Sequence, residues 1–520
     1  MKTNELPSGC ACCGMNRRQF LTRCAACVPA AGLLAVPSRL IAADRDSKVK
    51  IRIIYSLHAA KQTQPDWPNI GFDFQPVMDR INKELAKRCA GFDFLTSLAT
   101  GPEQAKQVLE KDKSADIDGY LVYQMNCWNQ VVQTMATSGK PVLYADFQYG
   151  GSGGFLVYTA GFLRSNAPNV GFVASSRMDD LVEAVKCFAI VKKGGSTADF
   201  VAATAKVRTA NTPKPGNLAC ESDELKTISP KECLAQMKAS RILAIRSEEA
   251  GPGAPIMDIP VDVVAFAELN EAWNAADKDQ AKAIADRWQK TAQKIEGVSR
   301  ETLEQSAAMY LAEKAVLKKH NANAISINCL GGFYGGHIHA YPCLGFHELN
   351  NEGLIGACEC DLRSTATMVT VTALTGGRPG YISDPVIDTA KRQIIYAHCV
   401  AHNRPFGPNG RRNPFEILTH SEDRQGAVVR SILPAGYMTT TLEFEQSRKE
   451  ILFHRGKAVG NDPNDRACRT KLAAEPVGDI EKLFTQWDQW GWHRVTFYGD
   501  LKDPIYALAE EMGYKVLEEA

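Results

Sequence analysis

The chain has 520 residues, a formal net charge of +1 at pH 7 and 45% hydrophobic residues. This near-neutral balance argues against a nucleic-acid groove and against attachment to an acidic membrane surface. The length and apolar content are sufficient for two to four domains with hydrophobic cores of their own.

Residues 1–47 have the pattern of an export signal. A twin-arginine motif, NRRQFL, occupies residues 16–21, and an apolar run follows at residues 24–36. The run is too short to span a membrane, and small residues follow it at 41–43. We therefore expect a bacterial protein that is exported already folded to the periplasm or another extracytoplasmic compartment, without a membrane anchor.

The cysteines do not form the pattern of a disulfide framework. Five of the 16 lie within residues 1–47, and the remaining eleven are scattered, several of them in apolar runs. An odd, scattered set is typical of reduced cysteines that pack as small hydrophobic side chains.

Residues 48–192 alternate between strand-like and helix-like patterns. Short apolar runs at 51–55, 119–122 and 141–145 predict buried strands, and the spacing over 74–87 predicts a helix. This alternation predicts a domain with a parallel, doubly wound sheet.

A glycine-rich stretch, GGSGG, occupies residues 150–154. It lacks the spacing and the lysine of a phosphate-binding loop. We expect a flexible loop near a subunit or substrate contact.

Residues 193–363 repeat the α/β pattern and predict a second domain. Apolar residues three and four positions apart predict long helices over 276–294 and 300–320, and a buried strand is predicted over 324–329.

Residues 364–520 change character and predict a β-rich domain. The segments 426–434, 439–446 and 450–454 are short, rich in β-branched or aromatic residues, and separated by glycine and proline turns. A further strand is predicted over 493–498. This pattern is typical of an antiparallel barrel or sandwich.

Two carboxylates stand out because their surroundings are apolar or small. Glu359 occurs in IGACECD, and Asp384 follows it 25 positions later in GYISDPV. A buried carboxylate is costly unless it is paired, hydrogen-bonded or bound to a cation. With His398 nearby in IIYAHC, the pattern indicates a site for a hard metal ion. The alternatives are an ordinary Asp-Pro turn at Asp384 and a Glu359 satisfied by backbone amides.

The same stretch resembles the L-fucose and L-arabinose isomerases. In that family a P-C-x-x-x-x-x-L-N-x-E-G run leads to a catalytic glutamate, as residues 342–353 lead to Glu359 in this chain. The resemblance implies two Rossmann-like α/β domains, a β-rich, barrel-like C-terminal domain and a divalent ion, usually manganese. It implies Glu359, Asp384, His398 and His493 as metal ligands, and the two carboxylates as the catalytic acid/base pair.

Three further residues are candidates for substrate binding. Asn350 belongs to the family-like run, and His337 and His339 alternate so that both rings would lie on one side of a strand. Asp361, two residues after Glu359, is expected to support the site from behind. His402 lies in a polar segment and is expected to be exposed to solvent.

Together these observations predict an aldose–ketose isomerase that acts on a monosaccharide through an enediolate. The resemblance also implies a homo-oligomer, a trimer or a hexamer. The alternative is an exported sugar-binding or sensing protein that has kept the fold without turnover.

Overall fold

The structure is a computed structural model that describes residues 48–247 and 249–520. The predicted twin-arginine signal lies outside the described residues. Residues Lys48–Ala520 pack as one unit.

The first sheet has five parallel strands in the order β2-β1-β3-β4-β5. The strands are β1 (Val49–Ser56), β2 (Phe92–Ala99), β3 (Gly119–Gln124), β4 (Val142–Asp146) and β5 (Val170–Val173). The helices along this part of the chain are α1 (Gln75–Arg88), α2 (Pro102–Asp112), α3 (Val131–Ala136), α4 (Ser152–Arg164), α5 (Met178–Lys186), α6 (Phe188–Lys192) and α7 (Thr197–Asn211). The central strands are almost fully buried, as parallel strands covered on both faces must be. The predicted parallel sheet is confirmed.

The glycine-rich stretch is not a flexible loop, so that prediction is wrong. Most of it is buried, and helix α4 begins at Ser152. A Cβ atom on Gly151 would overlap the carbonyl oxygen of Gln124, and one on Gly150 would overlap the ring of Phe147. Glycine is required at these positions because the helix start lies against the end of β3.

The second sheet has the order β11-β10-β6-β8-β7, and only β7 runs antiparallel to its neighbour. Its strands are β6 (Ile242–Ser247), β7 (Gly251–Pro252), β8 (Val261–Ala265), β10 (Ala324–Ile327) and β11 (Ile355–Cys358). The helices of this region are α8 (Pro230–Ala239), α9 (Phe266–Asn274), α10 (Lys278–Thr291), α11 (Arg300–Lys319), α12 (Cys329–Tyr334), α13 (Cys343–Asn351) and α14 (Leu362–Leu374). Both predicted long helices are present, as α10 and α11.

The C-terminal region contains a closed barrel of six antiparallel strands, which confirms the barrel interpretation. The barrel closes because β16 pairs with β19 on one side and with β17 on the other. Its strands are β12 (Tyr381–Asp388), β13 (Gln393–His398), β16 (Met438–Glu445), β17 (Glu450–Asn461), β18 (Thr470–Pro476) and β19 (Arg494–Tyr498). A parallel strand, β20 (Lys515–Glu518), joins β17 outside the closed ring. The rest of this region is a 3₁₀ helix (Ile480–Phe484), α15 (Trp487–Trp490) and α16 (Lys502–Met512).

A small three-stranded sheet crosses the predicted boundary at residue 363. Strand β9 (Lys294–Glu296) pairs in parallel with β14 (Phe415–Leu418), which pairs with β15 (Val428–Ser431). The proposed domain limits and the Rossmann-like designation of the two α/β parts stay predictions.

His402 is buried rather than exposed, so the expectation of a solvated loop is wrong. The residue is only 1% exposed, and burial lowers the pKa of the ring to about 3. Side chains of helix α13 hold this loop: His347 Nδ1 donates to Ala401 O at 2.6 Å, and Asn351 Oδ1 accepts from Asn403 N at 3.0 Å. Side chains of α13 therefore satisfy backbone groups of this loop and hold His402 inside the fold.

All eleven cysteines of the described residues are free thiols, as expected. Within those residues, no helix combines the length and the hydrophobicity needed to cross a bilayer.

We predict opposite effects for alanine at two glycines of the α4 region. Gly151→Ala forces a Cβ against the backbone of Gln124 and should lower the free energy of unfolding by about 3 kcal/mol. At Gly161 a Cβ meets nothing within 4 Å, so Gly161→Ala should raise it by about 0.5–1 kcal/mol. Urea denaturation followed by circular dichroism measures both, and equal effects would contradict the close contact between the start of α4 and the end of β3.

Candidate metal centre

Four side chains from distant parts of the chain meet at one end of the barrel. Glu359 directly follows β11, Asp384 lies within β12, His398 ends β13 and His493 immediately precedes β19. One ligand atom from each lies within 4.8 Å of all the others. Asp384 is therefore a strand residue, paired with Ala397 of β13, and not a turn residue.

The donor atoms point toward a common centre. His493 Nε2 lies 3.1 Å from Asp384 Oδ1 and 3.6 Å from Glu359 Oε2. His398 Nε2 lies 3.7 Å from Glu359 Oε1 and 3.8 Å from Asp384 Oδ2. Among the described residues, Asp384 Oδ1 and both Nε2 atoms are buried, and apart from one another they have no hydrogen-bond partner. An unsatisfied buried polar atom costs about 1–3 kcal/mol, so two carboxylates and two imidazoles with free donor atoms fit a divalent cation.

The pKa values of Glu359 and His493 show that the cluster holds more negative than positive charge. Burial raises the pKa of the Glu359 carboxyl well above its ordinary value, and the charge of Asp384 adds to the effect while His493 opposes it. Burial opposes protonation of His493, but Asp384 and Asp361 outweigh it and raise the pKa of the ring well above its ordinary value. Without an ion, a proton on His493 therefore supplies the positive charge that the carboxylates lack.

Asp361 orients the ring of His493. Its Oδ2 accepts from His493 Nδ1 at 2.9 Å, and its Oδ1 accepts from the backbone N–H groups of Arg363 and Ser364 at the start of α14. Burial opposes ionisation of Asp361, but the bond from His493 outweighs it and lowers the pKa below its usual range. A carboxylate behind a histidine in this arrangement turns the other nitrogen toward a metal.

The two histidines differ in their hydrogen bonds. The Nδ1 atom of His398 accepts from the backbone N–H of Cys399 at 3.0 Å. A neutral ring with this contact carries its proton on Nε2, the atom that faces the carboxylates. Burial lowers the pKa of His398, so the ring is neutral. His493 is therefore arranged as a ligand, whereas His398 is arranged as a donor unless it changes tautomer.

A buried network fixes the backbone that carries His493. Arg494 donates to the carbonyl oxygen of His493 at 2.8 Å and to Glu519 Oε1 at 2.9 Å, and its guanidinium lies 3.9 Å from the ring centre of Trp487. Glu519 also faces His454 Nδ1 at 3.0 Å. Burial opposes ionisation of Glu519, but Arg494 and His454 lower its pKa to about 2.

An aromatic wall that the sequence analysis missed flanks the site. The ring of Trp492, next to His493, lies 6.2 Å from that of Trp67 and 6.3 Å from that of Trp128. Both partners belong to loops of the N-terminal α/β region, and Trp128 is 51% exposed. Glu422, whose charge contributes to the raised pKa of Glu359, was also missed. No local pattern marks these residues, because only the tertiary fold brings them to the cluster.

The three predicted substrate-binding residues have other contacts in the described part of the chain. Asn350 is buried, and its side-chain amide donates to Gly356 O and accepts from Gly356 N. These two hydrogen bonds connect α13 to β11. His337 and His339 are exposed and lie against the rings of Phe266 and Trp273, respectively. Their role in substrate binding stays a prediction.

Sequence comparison finds relatives among sugar isomerases. Sulfoquinovose isomerase of Clostridium sp. (strain MSTE9) is 28% identical over 214 residues, which cover 39% of this chain and 45% of that protein. The enzyme of Priestia aryabhattai is 24% identical over 250 residues, which cover 46% of this chain and 54% of that protein. The enzyme of Alkalicoccus urumqiensis is 26% identical over 212 residues, which cover 41% of each protein. The chain spans about half the length of the curated relatives it matches. No protein-family model matches the chain.

Two solved structures resemble this chain weakly. The transcription regulator CcpA of Lactococcus lactis is 11% identical with a TM-score of 0.16, and the alignment covers 62% of this chain and 92% of that one. A XylFII molecule is 13% identical, also with a TM-score of 0.16, and the alignment covers 60% of this chain and 96% of that one.

We predict that Glu519 stabilises the fold in a pH-dependent way. At pH 7, Glu519→Gln should lower the free energy of unfolding by about 3 kcal/mol, because it leaves Arg494 and His454 buried without their partner. The pKa of this carboxyl is about 2 in the folded protein and about 4.3 in the unfolded chain. Its ionised form therefore stabilises the fold at pH values above about 4.3, and this stabilisation is lost as the pH falls toward 2. The difference between wild type and variant should therefore shrink below about pH 4.5.

The adjacent Glu518 supplies the matched control for urea denaturation across this pH range. It pairs with Lys502 at the surface, so Glu518→Gln should change the free energy of unfolding by less than about 1 kcal/mol. Equal losses at positions 518 and 519, or a difference independent of pH, would contradict the assigned role of Glu519.

Proposed function

We propose that this protein is a metal-dependent aldose–ketose isomerase that acts on a monosaccharide. The observation that carries the proposal is the convergence of two carboxylates and two histidine nitrogens within 4.8 Å. The sulfoquinovose isomerases among its sequence relatives support the same class of reaction. We keep the L-fucose and L-arabinose isomerase-like assignment as part of the proposal.

Glu359, Asp384 and His493 would hold the ion, with His398 as a fourth ligand if its proton moves to Nδ1. Oxygen and nitrogen donors together favour Mn²⁺ or a similar ion. When bound, a divalent cation supplies Lewis-acid stabilisation of negative charge on neighbouring sugar oxygens.

The two carboxylates are also the proposed acid/base pair. Moving the carbonyl group between C1 and C2 requires a proton to leave one carbon and return to the other. Glu359 and Asp384 lie beside each other in the cluster, so one carboxylate could take the proton from one carbon while the other returns it to the next. In its present tautomer His398 Nε2–H would donate to a sugar oxygen and fix the position of the substrate.

We expect the purified protein to form ketose from at least one of L-fucose, L-arabinose, D-glucose and sulfoquinovose in the presence of Mn²⁺. Chelation with EDTA should abolish turnover, and Mn²⁺ should restore it. Glu359→Gln should lower kcat by about 100-fold or more, because the amide cannot transfer the proton. Nuclear magnetic resonance of the sugar mixture measures the product.

Glu110→Gln is the control for this experiment, since Glu110 is 71% exposed and pairs with Lys113 at the surface. It should retain wild-type activity. Sugar binding without turnover on any member of the panel would instead favour the non-catalytic sensing protein.

The two histidines should differ in their contribution to metal affinity. His493→Asn should weaken Mn²⁺ binding by about 100-fold, and His398→Asn by less than about 10-fold while it lowers kcat. Isothermal titration calorimetry measures the affinities. Because the metal displaces a proton from His493, the affinity should fall as the pH is lowered. Equal losses in the two variants would refute the assigned tautomers.

Export by the twin-arginine route to the periplasm and assembly into a trimer or hexamer are also proposed. The export signal rests on the motif at residues 16–21, and the assembly rests on the family resemblance.

A further inference from the structure

Glu422 is a carboxylate beside the metal centre for which the reaction above has no use. It lies between β14 and β15, in the loop that also contacts the N-terminal region through a bond from Ile70 N to Glu422 O at 2.6 Å. Its side chain is half-buried, and its charge acts on Glu359. The segments around it adjoin the cluster on two sides. Ser421 Oγ lies 3.8 Å from Cys468 Sγ, two residues before the β18 residue that pairs with His398, and Trp67 of the loop that contains Ile70 lies against Trp492, next to His493.

Among the described residues, a tyrosine supplies the one hydrogen bond of the Glu422 carboxylate. Tyr334, at the end of α12, donates through its hydroxyl to Glu422 Oε2 at 2.9 Å, and its side chain is 43% exposed. Within the described residues no lysine or arginine forms an ion pair with Glu422, whereas Glu416 and Asp465 pair with Arg430 and Arg424, respectively. The other oxygen, Oε1, is left available for a ligand.

The burial of Glu422 favours its protonated form, although His420 and the hydrogen bond from Tyr334 oppose this effect. Burial raises its pKa to about 7, and Asp66 contributes in the same direction against the charge of His420. The adjacent Asp423 differs, because it accepts from Tyr341 and faces His420 at 3.5 Å. The loop thus contains one carboxylate with a structural partner and one that can exchange a proton near neutral pH.

Monosaccharides in water are mostly closed rings, whereas proton transfer between C1 and C2 requires the open chain. Opening a ring requires a proton on the ring oxygen and the loss of a proton from the O1 hydroxyl. Glu359 and Asp384 are already assigned to the metal and to the carbon-bound proton. The proposed isomerase therefore needs a further proton-transfer group next to the cluster.

We propose that Glu422, positioned by Tyr334, is the catalytic residue that opens the sugar ring before isomerisation. This assignment rests on the proposed function. The protonated oxygen, Oε1, gives its proton to the ring oxygen as the C1–ring oxygen bond breaks and its electron pair moves to that oxygen. The other oxygen, Oε2, takes the proton of the O1 hydroxyl as the C1=O1 double bond forms. The carboxyl ends as it began, with one proton, so nothing is oxidised or reduced.

The test separates ring opening from isomerisation. Exchange between the α and β anomers is measured by NMR magnetisation transfer on L-fucose, L-arabinose, D-glucose and sulfoquinovose, with the Mn²⁺-loaded full chain. Turnover is measured in parallel on these sugars and on D-glyceraldehyde, a three-carbon aldose that cannot close a five- or six-membered ring.

Wild-type protein should accelerate anomer exchange on at least one sugar, and Glu422→Gln should reduce that acceleration by about 100-fold. Tyr334→Phe should reduce it by about 10-fold through loss of the hydrogen bond that positions the carboxyl group. Turnover of D-glyceraldehyde should change by less than about 3-fold in both variants, whereas a misfolded protein would lose it. Glu416→Gln is the matched control, because Glu416 has Arg430 as its partner at 3.1 Å, and it should leave anomer exchange unchanged.

Two results would overturn the assignment: no acceleration of anomer exchange by wild type on any of the four sugars, or an equal loss of exchange and of D-glyceraldehyde turnover in Glu422→Gln. Anomer exchange without any isomerisation would instead refute the isomerase proposal while supporting the role of Glu422.

Discussion

The turn that follows β11 is the constraint on which the rest of the site depends. Glu359 and Cys360 both adopt left-handed backbone conformations, with φ values of +63° and +53°. Each such residue other than glycine costs about 1–3 kcal/mol. The surrounding structure holds the turn: Cys360 N donates to Ile327 O of β10 at 3.0 Å, and Asp361 caps α14. Three consecutive residues thereby place one carboxylate in the cluster and a second one behind His493.

The need for positive charge explains the form of the centre. Glu359 and Asp384 cannot both be ionised at this separation without a compensating cation, because each disfavours the charge of the other in a poorly solvated environment. In the absence of an ion, His493 can bear the charge as an imidazolium. The same three groups provide two oxygens and one nitrogen to a metal once that proton leaves. Fold stability and metal binding therefore depend on the same charges.

The sequence was sufficient for the elements whose pattern is local. The apolar runs at β1, β3, β4 and β10 and the β-branched segments of the barrel predict strands because their side chains are buried in the core. The convergence of Glu359, Asp384, His398 and His493 agrees with the ligand set that the family resemblance implied. Asp361 was expected behind the site, and it hydrogen-bonds His493.

Features that depend on long-range packing could not be predicted in this way. The wall of Trp67, Trp128 and Trp492 joins three loops that lie far apart in the chain. The burial of His402 follows from bonds between its loop and α13, which composition does not reveal. The glycines before α4 resemble a mobile loop in sequence, but they permit a close contact with the end of β3.

The central claim is that these four side chains surround one divalent ion. A crystal grown with Mn²⁺ and measured near the manganese absorption edge tests it most directly. The account predicts one strong anomalous peak at about 2.0–2.3 Å from the carboxylates of Glu359 and Asp384 and from His493 Nε2. Full occupancy at another position, or no peak between these side chains at saturating Mn²⁺, would contradict it.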